Sequence, residues 1–99
     1  MRRGTTPTNT FKSNVDLTTA EVIFITYKQA GITVIEKTIE DITIDEDDLE
    51  VTLSQDETLR FNPRQEVEIQ VRARLPGEKA IASNIIKTTV GRILKDGEI

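Results

Sequence analysis

Apolar and polar residues alternate in short runs along this chain, and the period is two, which predicts strands. The cleanest run is Glu66 to Arg74. Val67, Ile69, Val71 and Ala73 would share one face there, and Glu66, Glu68, Gln70, Arg72 and Arg74 the other, as in a half-buried antiparallel strand. Leu49, Val51 and Leu53 repeat the pattern against Glu50 and Thr52. Glu21 to Lys28 is densest in β-branched and aromatic residues but is apolar on both sides. Val22 and Phe24 point one way, and Ile23, Ile25 and Tyr27 the other. Either another part of the chain covers the second face, or another subunit does.

Turn chemistry separates these runs. Gln29-Ala30-Gly31 reads as a hairpin turn into a returning strand, Ile32 to Thr38. Ile42 and Ile44 mark a short strand, closed by the charged turn Asp45 to Asp48. Ser54 and Glu57 have capping-box spacing, which predicts a single helical turn. Asn62-Pro63-Arg64-Gln65 and Leu75-Pro76-Gly77-Glu78 are further turns. Thr8 to Leu17 reads as a weaker strand anchored by Phe11 and Val15. Lys79 to about Leu94 reads as a long extended tract whose apolar phase shifts between Ile85 and Ile86. Such a shift predicts a bulge, or a strand crossing between sheets.

About seven short strands with regular turns predict a small antiparallel β-sandwich of immunoglobulin-like architecture, with one short helical turn. Residues 1–10, polar and threonine-rich, read as a flexible or extended arm, and 11–99 as a single domain.

Composition then narrows the function. The chain of 99 residues has no cysteine and no histidine, which removes disulfides and the usual zinc sites. It has neither the apolar core of a signal peptide nor a stretch long enough to span a membrane, so a soluble protein is expected. The formal charge is −4, but it is unevenly spread. Nine acids and no base fall between Glu40 and Glu57, and the remaining eight acids face all 13 bases. Segregated charge suits docking on a complementary field, another copy included. The alternative is a solvated acidic loop.

Candidate chemistry is sparse. Without histidine the usual proton acceptor is missing, and Ser13, Ser54 and Ser83 stand in no nucleophile elbow. The five glycines are scattered, so no phosphate loop forms. Asp45, Asp47 and Asp48 are a weak candidate calcium site, although the calcium-hand pattern fails: Leu49 stands where a ligand is needed and no glycine follows. Arg72 and Arg74 share their face with Glu66 and Glu68, which speaks against a nucleic-acid surface. No cofactor, nucleic acid or membrane is expected, and no catalytic residue. Ile23, Ile25 and Tyr27 are instead candidates for a homo-oligomer contact, and Ile93-Leu94 for a second. For both sets, burial within one sandwich is the competing reading.

Several segments carry a family likeness. The opening Arg2-Arg3-Gly4-Thr5-Thr6-Pro7-Thr8-Asn9-Thr10-Phe11 resembles the start of small proteins encoded by phages and prophages of Gram-positive bacteria. Thr26-Tyr27-Lys28-Gln29, Val34-Ile35-Glu36-Lys37-Thr38, Leu53 to Phe61, Ala82-Ser83-Asn84-Ile85 and Gly91-Arg92-Ile93-Leu94 extend it over nearly the whole chain. The logic is similar to that of upper baseplate proteins. The resemblance implies a β-sandwich building block of the virion, of the tail or baseplate region, located in the particle or in the host cytoplasm during assembly. Other phage structural proteins, or further copies of itself, would be its partners. The alternative is an immunoglobulin-like adhesive or ligand-binding module, for which sugar stacking would rest on Tyr27 and the phenylalanines. A third option is a carboxylate enzyme built on the acidic loop.

Overall fold

The computed structural model describes residues 1–99 as an all-β sandwich of two antiparallel sheets. The chain runs β1 (Thr8–Lys12), β2 (Val22–Gln29), β3 (Ile32–Thr38), a 3-10 turn (Ile39–Asp41), β4 (Thr43–Asp45), β5 (Asp48–Thr52), α1 (Gln55–Leu59), β6 (Glu66–Leu75), β7 (Lys79–Ala82) and β8 (Ile86–Thr89). The smaller sheet has the order β1-β5-β4. In the larger one the order is β3-β2-β6, and β7 and β8 both pair with the far side of β6.

β2 and β6 are the centre of the larger sheet. Their register sets Ile23 against Ala73, Ile25 against Val71 and Tyr27 against Ile69, so the apolar phases of both strands face the same layer. The smaller sheet contributes Leu49 and Val51, and Leu17, Leu53, Phe61 and Val90 close the core from outside the strands. Two-residue turns join β2 to β3 and β4 to β5, and three residues, Pro76 to Glu78, join β6 to β7. Ala30 and Gly31 both have positive φ, as a turn matched to strand twist requires. At the β4–β5 turn Glu46 has φ 54°.

Two expectations change in detail. The strand from Thr8 stops at Lys12 and does not reach Leu17. Beyond it, the Ser13 hydroxyl accepts the Val15 N–H and the Asp16 carboxylate accepts the Thr18 N–H, local bonds that compete with a ladder. Leu17 still reaches the core, its N–H donating to the Glu46 carbonyl at 3.0 Å. The long tract after Lys79 divides into two strands on one partner: Arg72 pairs with Ala82 but Ile69 with Ile86. Four steps on one strand thus match three on the other, so the phase shift is a bulge at Ser83–Ile85 and no strand crosses between sheets. The Ser83 hydroxyl accepts the Val71 N–H there at 3.0 Å.

The helical turn forms where the capping box predicts it. The Ser54 hydroxyl accepts the Glu57 N–H at 3.1 Å, and the Glu57 carboxylate accepts the Ser54 N–H at 2.9 Å. Residues 1–10 are broken by a turn at Arg3–Gly4, where Gly4 has φ 70° and the Thr5 hydroxyl donates to the Arg2 carbonyl. Met1–Arg3 lie along Thr89–Gly91, with Gly91 donating to the Met1 carbonyl at 2.7 Å, and Thr8–Thr10 are already part of β1.

Candidate functional site

Two flanks of the sandwich expose unpaired strand edges. On one, β3 and β4 are the outermost strands, and the 3-10 turn carries the chain between them. On the other, β1 of the smaller sheet lies across from β7 and β8 of the larger. Between these edges runs a groove of about 450 Å³, floored by Leu49, Val71 and Ala73 and walled by Phe11, Ile81 and Ile86.

The flanks differ in charge. From Ile32 to Asp45 the first carries Glu36, Glu40, Asp41 and Asp45. Its one base, Lys37, is turned inward and held by Glu57 at 2.7 Å, with only 13% of its side chain exposed. β1, β7 and β8 carry Lys12, Lys79 and Lys87 and no carboxylate. Lys12 and Lys87 make only loose pairs, with Asp48 at 3.8 Å and Glu66 at 3.9 Å. Thr38 shapes the acidic side: its N–H and hydroxyl both donate to the Asp41 carboxylate. The backbone bond holds that acid below its usual range, against a smaller opposing effect of burial.

Ile23, Ile25 and Tyr27 are 1%, 0% and 0% exposed, so the candidate contact through them is corrected: these side chains are core. Pairing with β6 turns their face towards the smaller sheet, and β2 presents Phe24, Thr26 and Lys28 outward instead. The Tyr27 hydroxyl donates to Asn9 Oδ1 at 2.8 Å, and burial pushes its pKa well up, helped by the Glu57 charge. Ile93 is half-buried against Gly4, where an added Cβ would meet its Cδ1 at 3.0 Å, whereas Leu94 is 91% exposed.

Asp45, Asp47 and Asp48 sit around the β4–β5 turn, and no three metal-binding side chains converge there or elsewhere. Asp48 faces Lys12 across the β1–β5 ladder. The serines are spent on structure, with Ser54 capping α1 and Ser13 and Ser83 bonded to backbone. Arg72 and Arg74 follow Glu66 and Glu68 along a mixed-sign face where Arg74 pairs with Glu21 at 3.4 Å. Of the aromatics, Phe61 joins Tyr27 in the core, Phe11 is half-buried, and Phe24 is 39% exposed. The groove was not visible as a motif. Its signals were the uneven charge and the phase shift at Ile85, which is where β7 gives way to β8 along its wall.

No helix is long and apolar enough to cross a membrane. No family model and no curated protein matches the chain. Among solved structures, the V domain of amphioxus IgVJ-C2 is similar over 94% of this chain and 97% of that one, with 13% identity and a TM-score of 0.39. At that level the likeness adds nothing to the strand pairing already described.

Proposed function

We propose that this chain is a non-enzymatic structural or assembly module, a component of a phage or prophage tail or baseplate that works by presenting surface to other proteins, further copies included. One observation carries the association reading: each flank ends in unpaired strand edges, and the two flanks are opposite in charge. Free edges offer rows of N–H and C=O groups to another chain, and complementary charge selects which chain. The absence of histidine and cysteine from the sequence supports a role without proton-transfer or thiol chemistry. The phage assignment rests on the sequence resemblance. Sedimentation velocity over a rising concentration series is expected to show association, and a monomer throughout would overturn the reading. Mass spectrometry of purified particles from an induced lysogen encoding the chain tests the phage assignment, and absence from tails and baseplates rejects it.

The groove beside β1 favours a second reading, an immunoglobulin-like ligand-binding or adhesive module, because an apolar cleft of about 450 Å³ falls within the usual range for small-ligand sites. Glycan arrays and a panel of apolar ligands, scored by melting shift, decide it. No hit in either removes it.

A further inference from the structure

We infer that the chain associates head to tail with a second copy, the acidic flank of one (β3, the 3-10 turn and β4) docking on the lysine-bearing flank of the next (β1, β7 and β8, with the groove between them). This deepens the self-association reading and rests on it.

Symmetric pairing is disfavoured on either side. Lysine on a free edge is a common device against edge-to-edge pairing, because two identical edges then bring like charges together. Two copies meeting through β1, β7 and β8 would set Lys12, Lys79 and Lys87 against the same three lysines. Two copies meeting through the other flank would oppose Glu36, Glu40, Asp41 and Asp45, with Lys37 already committed to Glu57. Only the mixed arrangement turns both repulsions into attraction. The acidic flank has its own apolar contribution in Ile32, 69% exposed at the start of β3, and the receiving flank offers the apolar groove. A strand edge added there would complete hydrogen bonds that β7, and β8 short of the Thr89 carbonyl bonded by Met1, leave open on their outer side. Because the two contacting surfaces differ, each docked pair leaves one of each kind free, so the contact propagates into a ring or a filament.

The test uses the full chain and two double variants at exposed positions, E36K/E40K on one flank and K79E/K87E on the other. Sedimentation velocity at low salt is expected to show wild-type association that weakens as salt rises, since exposed charges are screened. Each variant alone is expected to associate at least tenfold more weakly, and a 1:1 mixture to regain association, because each reversed flank then meets a complementary one. Circular dichroism and melting curves check that both variants fold, and the neutral pair E36Q/E40Q and K79Q/K87Q replaces any that does not. Wild-type association left intact in both variants, or a mixture that stays monomeric, overturns the head-to-tail contact but leaves self-association standing. A wild-type chain that never associates overturns both.

Discussion

The two sheets are held in different ways. In the larger one, β2 and β6 bury a continuous layer from Ile23 to Tyr27 and from Val67 to Leu75, so its stability comes from strand-on-strand apolar contact. The smaller sheet supplies only Leu49 and Val51 to the fully buried core, with Phe11 and Ile44 half-buried against it, and polar bonds tie its surroundings to the rest. Tyr27 reaches Asn9 on β1, Lys37 reaches Glu57 on α1, and the Thr58 hydroxyl donates to the Thr5 carbonyl at 2.8 Å. Gln29, 3% exposed, exchanges two hydrogen bonds with the Asn62 backbone. A sheet with too few apolar residues for a full layer can thus still be fixed by polar groups that find partners across the molecule, although Asp48 Oδ1 on β5 has only the loose contact with Lys12.

Core truncation tests that difference with the largest effect. Buried Leu or Ile to Ala costs about 2–5 kcal/mol, and the spread follows the size of the cavity left behind. Ile25 is enclosed by both layers, so Ile25→Ala is expected near the upper end of that range. Leu49 floors the open groove, where water and neighbouring side chains can adjust, so Leu49→Ala is expected near the lower end. Chemical denaturation measures both, and an equal or larger loss at Leu49 would contradict the asymmetry.

The polar ties come next. Glu57→Gln is expected to cost about 1–3 kcal/mol, the usual range for a hydrogen bond to a charged group with its partner left behind. Burial alone would raise the Glu57 pKa, but the bonds from Lys37 and Ser54 outweigh it and hold the acid below its ordinary 4.5. A carboxylate with a lowered folded pKa stabilises above its unfolded pKa and loses that contribution as pH falls through the folded value. Wild type and Glu57→Gln should therefore differ at pH 7 and converge in acid below 4.5. A gap that persists unchanged in acid means that the ion pair is not its source. Tyr27→Phe is smaller, about 1 kcal/mol. It removes the bond to Asn9 while keeping the ring against Phe61, so melting should shift with little change in the core.

This division also explains what could be read from the sequence. β6 and β5 were legible because one face is polar and the period shows which. The capping box at Ser54 was legible because both its partners lie within one helical turn. β2 was legible as a strand but not as a surface. With apolar residues on both sides, periodicity could not say which face was inside, and only pairing with β6 turns Ile23, Ile25 and Tyr27 inward. The end of β1 was hidden because Ser13 and Asp16 choose local bonds over a ladder. The ties from Asn9, Lys37 and Gln29 span 18 to 33 residues, far beyond any local pattern. The flanks lay between these cases: the charge imbalance was plain, but its assignment to opposite edges needed the strand order.

The smallest effects lie in the hairpin turns, one in each sheet. Ala30 and Glu46 both sit at positive φ, where a Cβ costs up to roughly 1–2 kcal/mol and asparagine is better tolerated. Ala30→Asn creates Asn-Gly, the pair a two-residue hairpin favours, and is expected to stabilise by about 0.5–1 kcal/mol. Glu46→Asn should give a similar backbone gain and also remove one charge from a turn that holds Asp45, Asp47 and Asp48. The two gains then separate by salt. Backbone relief at Ala30 is indifferent to ionic strength, whereas part of the gain at Glu46 is relief of exposed like-charge repulsion and shrinks as salt screens it. Melting both variants in low and high salt reads the difference directly. If the Glu46→Asn gain held constant in salt, crowding of carboxylates would contribute nothing to the cost of that turn, and the acidic flank would be as well tolerated in the isolated chain as the turn in the larger sheet.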